Sequence, residues 1–233
     1  MGFFDEDEEY KKGLRERKAK NAVVLGKWVT VMFWLQIASL IAGVLADDVF
    51  DGLPAIQTVG SFATYGIMIA NSIILIKLKA VEDWFGKAGV CYLVSGLSGF
   101  VIALFLLGDA IALSSLLAIA MMIVQMRGNY SECTGYEIVL RDVDDDLSGK
   151  WARQWKLEIA CTLTVLVSAV VLLVSAIAGG GVLAILAGIV TLGASIGALV
   201  FGIMRLVYLY RTAETFRNYD PEETEVVAEQ DAF

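Results

Sequence analysis

The 233-residue sequence is 58% hydrophobic, contains no histidine and carries a formal net charge of −8. Such an apolar composition excludes an ordinary soluble domain and indicates a polytopic membrane protein. The lack of imidazole removes histidine metal centres, bis-histidine haem and the usual serine triad. We therefore expect no cofactor and no bound metal.

Six apolar segments are long enough, or nearly so, to cross the roughly 30 Å hydrocarbon core as helices. They are residues 28–46, 58–76, 88–107, 110–126, 157–178 and 182–204, of which the fourth is the shortest. Turns at 47–57, 108–109 and 179–181 join them in pairs. The sequence thus predicts an all-α integral membrane protein with six transmembrane helices arranged as three helical hairpins.

The distribution of charge predicts the orientation of these helices. All 18 Lys and Arg residues lie before the first segment, between the hairpins or after the sixth segment. The three turns hold only acidic charges: Asp47, Asp48, Asp51 and Asp109. Because positive charge marks the cytoplasmic side, we expect both termini inside a cell membrane, and short external turns favour a bacterial plasma membrane. The predicted organisation is a cytoplasmic segment, 1–27, a transmembrane domain, 28–204, and an acidic cytoplasmic tail, 205–233.

The long polar stretch 127–156 has an apolar stripe at helical spacing. Its members are Tyr136, Leu140, Val143, Leu147, Trp151 and Trp155. Residues three or four apart share one face of a helix, so we predict a cytoplasmic amphipathic helix between the fourth and fifth spans. The stripe either docks on the base of the protein itself or offers a surface to a protein partner.

Small residues recur on the sixth span in a pattern typical of close helix packing. The stripe includes Ala194, Ala198 and Gly202, and Gly193 and Gly197 allow close approach on a nearby face. Residues 193–197 also match G-x-S-x-G, the serine hydrolase elbow, but that chemistry needs a base that the histidine-free chain lacks. We therefore predict that these residues pack helices and that the chain has no catalytic residue.

Gln36, Asn71 and Gln125 are the side-chain amides within the predicted spans. They either form hydrogen bonds between helices or line a polar interior. No charged residue is predicted near mid-depth, with Glu158 and Arg205 at the cytoplasmic ends of spans, and this lowers the expectation of ion-coupled transport.

Two functions remain open at this point, and an enzyme is less favoured than either. The first is a non-enzymatic scaffold, assembly factor or regulatory subunit that binds a protein partner through its cytoplasmic face. The second is a small-solute transporter or channel, which requires the three amides to converge inside the bundle. We expect the lipid bilayer as the surroundings of the chain and no nucleic acid partner.

Overall fold

The computed structural model describes residues 3–46, 53–107, 111–141, 143–178 and 181–220. These residues form six α-helices and no strand. The helices are α1 Phe3–Ala46, α2 Pro54–Leu78, α3 Asp83–Leu107, α4 Ile111–Leu140, α5 Asp145–Ala178 and α6 Gly181–Arg217. Consecutive helices pack side by side, and α6 also packs against α1. The described helices therefore form a closed ring.

Within the described residues, five helices are long and apolar enough to cross a membrane. The candidate spans are Glu16–Ala46, Ala55–Leu78, Asp83–Ile102, Asp145–Leu172 and Ile185–Arg217. This confirms the predicted all-helical, multi-pass membrane character. The predicted fourth span in α4 is not among the five, so six spans stay a prediction. Helices of different predicted hairpins also pack together, since α2 packs against α3 and α6 against α1, and the arrangement as three hairpins stays a prediction.

The prediction of a separate amphipathic helix within residues 127–156 is wrong. Helix α4 continues without a break to Leu140, and α5 begins at Asp145. Asp144 caps α5, since its Oδ1 accepts a hydrogen bond of 2.9 Å from the backbone N–H of Leu147. The apolar residues before and after this turn pack into the same core. Their helical spacing therefore continues across the turn, although two separate helices carry them.

Parts of the predicted terminal segments and of the first predicted turn are helical. Residues 3–27 are the first part of α1, and residues 205–217 are the last part of α6. Helix α2 begins at Pro54, a residue suited to the first turn of a helix, so residues 54–57 are helical. The rest of the predicted turns, apart from Leu53 and Gly181, and residues 221–233 of the tail lie outside the described residues.

The best-packed part of the ring is the end where α2 joins α3 and α4 joins α5, here called the basal end. Tyr136 stacks on Trp151 with ring centroids 4.4 Å apart, and Phe85 meets Tyr136 edge-on at 5.0 Å. The indole Nε1 of Trp151 donates a hydrogen bond of 3.1 Å to the Thr212 hydroxyl. These side chains are fully buried, so the basal end of the ring is filled by an apolar and aromatic core.

The stripe predicted for the amphipathic helix belongs to this basal core. Four of its members, Tyr136, Leu140, Leu147 and Trp151, are fully buried, and Val143 and Trp155 pack partly buried against them. The stripe thus packs against other residues of the same chain.

Candidate functional site in the ring interior

The three side-chain amides predicted within the spans line one cavity inside the ring. Gln36 comes from α1, Asn71 from α2 and Gln125 from α4. The cavity has a volume of about 180 Å³. Its other lining residues are Met32, Ser39, Met68, Leu75, Tyr92, Asn129, Glu132, Arg205 and Leu209. The structure thus brings together residues from five helices around a space that is lined by both polar and apolar side chains.

The basal core forms the floor of this cavity. Met32, Leu75 and Leu209 line the cavity and also belong to the buried apolar cluster. Directly among them, the hydroxyl of Tyr136 lies 3.7 Å from the Met32 sulfur. The cavity is therefore closed toward the basal end by packed side chains.

An ionic cluster forms one wall just above this floor. Arg205 of α6 pairs through Nη2 with the Glu132 carboxylate of α4, and its Nη1 lies 3.5 Å from Glu158 Oε2 of α5. The three side chains are 13%, 3% and 14% exposed, respectively. One guanidinium thus stands between two buried carboxylates, and the cluster carries one excess negative charge.

Tyr92 and Asn129 complete the cluster on the side of α3 and α4. Arg205 donates hydrogen bonds of 3.2 Å to the Tyr92 hydroxyl and to Asn129 Oδ1. The Tyr92 hydroxyl lies within hydrogen-bond distance of both Asn129 Oδ1 and Glu132 Oε2, at 2.5 and 2.8 Å. Because a phenol has one proton, it donates to one of these oxygens at a time. The phenol therefore holds Asn129 or Glu132 in place, and the cluster joins four helices, α3, α4, α5 and α6.

Gln154, one turn earlier on α5, holds Glu158 by a hydrogen bond to one carboxylate oxygen, and the other oxygen accepts no hydrogen bond from a described residue. Gln154 Nε2 donates to Glu158 Oε1 at 2.8 Å and to the Phe201 carbonyl at 2.9 Å. Glu158 Oε2 and Arg205 Nε are buried and have no hydrogen-bond partner among the described residues. A buried polar atom without a partner costs free energy, so Arg205 is not fully satisfied in its present position.

The cluster was missed from the sequence, although a signal for it exists. Gln125, Asn129, Glu132 and Tyr136 follow one another at steps of four, three and four residues. That spacing keeps them on one face of a continuous helix. The fourth apolar segment ends at residue 126, and Glu132 lies six residues further, about 9 Å along the axis. Hydropathy therefore assigned Asn129 and Glu132 to a polar linker, whereas α4 carries them inside the ring.

A glycine makes room for the Tyr92 ring beside these residues. A Cβ atom on Gly128 would lie 2.9 Å from Tyr92 Cε1 and 3.2 Å from the Cβ of Cys91. Real Cβ atoms essentially never approach other atoms closer than 3.0 Å. The absence of a side chain at Gly128 therefore lets α3 and α4 bring Tyr92 next to Asn129.

The small residues predicted to pack α6 against other helices differ in their surroundings, since they range from buried to exposed. Ala194 is buried, and a Cβ on Gly197 would lie 3.2 Å from the sulfur of Cys161 on α5. A Cβ on Gly193 or Gly202 would meet no described atom within 4 Å, and Ala198 is exposed. Of these five residues, Ala194 and Gly197 are thus the two that lie at a close contact.

The three cysteines are free, and one lies in the basal core. Cys133 is fully buried, and this burial raises the pKa of its thiol well above the usual value. Within the part of the chain that the structure describes, no group of three His, Cys, Asp or Glu residues could hold a metal ion.

The cavity offers amide, hydroxyl and carboxylate oxygens together with one guanidinium. Such groups bind polar or charged molecules through hydrogen bonds and charge. Ionisable side chains held between apolar helices are expensive and commonly mark a functional site. Comparison with protein-family models, curated proteins and solved structures found no match for this chain.

Proposed function

We propose that this protein binds a small polar solute in the cavity between its helices and carries it across the membrane. The observation that supports this most directly is the convergence of Gln36, Asn71 and Gln125 from three helices on one cavity. A transporter or channel requires this arrangement, whereas a scaffold does not.

The amides are poorly explained as a means of holding helices together. Gln125 Nε2 has its contact with the Met68 sulfur at 3.9 Å, and thioether sulfur is a weak acceptor. Asn71 Oδ1 is buried and accepts no hydrogen bond from any described residue. An interhelical role would satisfy these groups, so a ligand or water in the cavity accounts for them better.

The ionic cluster supports the same function. The sequence placed Arg205 and Glu158 at the ends of spans and lowered the expectation of transport for lack of charge. With Arg205 and Glu132 lining the cavity, that objection no longer applies. Buried charged groups in a membrane protein often mark the path of a solute or an ion.

The scaffold hypothesis loses one of its candidate partner surfaces. The stripe from Tyr136 to Trp155 was one candidate partner surface, and four of its six members, Tyr136, Leu140, Leu147 and Trp151, are fully buried. A protein partner at the cytoplasmic face stays a hypothesis, without a described surface assigned to it.

The solute would cross between an external side and a cytoplasmic side that carries both termini. This orientation rests on the placement of every Lys and Arg away from the three short turns. A phosphatase reporter active only outside the cytoplasm, fused after Gly180, is expected to be active. An inactive fusion there, with an active one at the C-terminus, would reverse the orientation.

Vesicle reswelling tests the transport function. Proteoliposomes would be shrunk in glycerol, urea or methylammonium chloride, the last with a chloride ionophore so that the anion can follow the cation, and reswelling would follow the entry of the probe. Asn71→Leu and Gln125→Leu replace cavity amides by side chains of similar size, so we expect them to abolish entry of any probe that the protein admits.

The matched controls lie two residues away on the same helices. Ile73 and Ile123 are 47% and 62% exposed, and Ile73→Leu and Ile123→Leu are expected to leave entry unchanged. The function would be rejected if no probe entered faster than into protein-free vesicles, or if all four variants behaved alike.

A further inference from the structure

The cluster at the cavity wall is unbalanced in charge, and this identifies a class of solute. Arg205 has one positive charge, and Glu132 and Glu158 have two negative charges between them. In the described residues that line the cavity, no other charged side chain is present. An uncompensated buried charge is strongly unfavourable, so the cavity wall favours the binding of one positive charge.

We propose that the cavity takes a monovalent cation at Glu132, either an inorganic ion or a small primary ammonium ion, while Arg205 moves to Glu158. This inference rests on the proposed function and names its substrate class. Glu132 faces the cavity, whereas Glu158 lies behind Arg205 and is not among the lining residues. The cation therefore replaces the guanidinium on the accessible carboxylate.

The geometry around Arg205 supports this exchange. Its Nη1 is only 3.5 Å from Glu158 Oε2, an oxygen that has no hydrogen-bond partner among the described residues. A small movement of the guanidinium converts this contact into a hydrogen-bonded ion pair. Gln154 already holds the other oxygen of Glu158. After the exchange, each carboxylate has one positive partner and the cluster is neutral.

Oxygen atoms around Glu132 complete the site for the cation. Asn129 Oδ1 and the Tyr92 hydroxyl accept hydrogen bonds from Arg205 now. Both acceptors become available when Arg205 moves away. Asn71 also lines the cavity, and its buried Oδ1 has no hydrogen-bond partner among the described residues. Carboxylate, amide and hydroxyl oxygens are suitable ligands for a hard cation and suitable acceptors for an ammonium group.

Thermal unfolding of the full chain in detergent tests the site without assuming transport. The midpoint would be measured at fixed pH and ionic strength in sodium, potassium, ammonium or methylammonium chloride. N-methylglucamine chloride serves as the bulky reference cation. A ligand that binds the folded state raises the midpoint, so at least one of the four cations is expected to raise it.

Four variants separate the cluster from general effects of salt. Glu132→Gln and Glu158→Gln are each expected to raise the half-maximal cation concentration by about tenfold or more, because a close buried charge contact is lost in each. Glu132→Asp keeps the charge and is expected to retain the response. Glu137→Gln, on the surface of the same helix and paired with Arg141, is expected to respond like the unchanged chain.

Several results would overturn the proposal. One is the absence of any difference between the four cations and N-methylglucamine. Another is a response that persists unchanged in Glu132→Gln. A third is a midpoint raised by lower pH and by none of the cations, which would show that a proton balances the charge.

The proposed transport function can fail separately from this inference. If glycerol or urea enters vesicles through the amide-lined cavity but no cation raises the midpoint, transport stands and the cation site is rejected. If a cation raises the midpoint through Glu132 but no probe enters vesicles, the cation site stands and transport is rejected.

Discussion

Replacing Arg205 by methionine is expected to destabilise the protein strongly. Methionine keeps much of the length of the side chain but leaves Glu132 and Glu158 buried without a positive partner. Their side chains are 3% and 14% exposed, so bulk water solvates the two carboxylates only weakly. Removing one partner of a buried ion pair costs about 3 to 5 kcal/mol. For a chain of this size, that corresponds to a fall of roughly 6 to 20 °C in the unfolding midpoint.

The assay is thermal unfolding in detergent with N-methylglucamine as the cation, so that no small cation occupies the cavity. Adding Glu132→Gln and Glu158→Gln to Arg205→Met removes the orphaned charges, and we expect most of the lost stability to return. Arg141→Met is the control, since Arg141 is 62% exposed and pairs with Glu137 on the surface. Such exposed pairs contribute about 0 to 1 kcal/mol.

Two results would refute this reasoning. The first is a loss in Arg205→Met no larger than the loss in Arg141→Met. The second is a triple variant that is no more stable than Arg205→Met alone, because the cost would then come from lost packing of the side chain and not from uncompensated charge.

Two further predictions concern the basal core. Thr212→Val leaves the buried Nε1–H of Trp151 without its acceptor and is expected to cost about 1 to 3 kcal/mol in thermal unfolding. Thr164→Val, which removes an exposed hydroxyl bonded within its own helix, is the control, and an equal loss there would contradict the prediction. Cys133 is expected to react with maleimide only in denaturant, because burial excludes the reagent and raises the pKa of the thiol. Rapid labelling of the folded Cys91→Ser, Cys161→Ser variant would show that the basal core opens.

The positions of the helices could be predicted from hydropathy alone, since all six apolar segments fall within helices, apart from Ala110, which lies outside the described residues. The ends of the helices could not be predicted in this way, because α1, α4, α5 and α6 continue well beyond their apolar segments. Glu158 and Arg205 seemed to mark the ends of spans for this reason. A drop in hydropathy reports where apolar residues stop, and a helix whose polar residues face a partner inside the ring continues past that point.

The candidate site could be predicted in part. The amides stood out because polar side chains within apolar segments are rare. Their convergence could not be predicted, since it depends on the ring order of the helices and on the packing of α6 against α1. The pairing of Arg205 with Glu132 joins residues 73 positions apart, and no local pattern encodes such a distance. For the ionic cluster, the signal that the sequence does contain is the helical spacing of Gln125, Asn129, Glu132 and Tyr136, which places them on one face of α4.

The exchange proposed for Arg205 also has a consequence for the ring. In the described state, the Arg205–Glu132 pair links α6 to α4, two helices separated by α5. The alternative pair with Glu158 links α6 to α5, its direct neighbour, with which it already packs extensively. A cation on Glu132 would therefore remove a link across α5 without weakening the contact between α5 and α6. Because a change of partner alters which helices are held together, occupancy of the cavity would loosen the ring on one side, between α4 and α6. A carrier needs such a coupling between ligand and helix arrangement, and a fixed structural ion pair does not provide it.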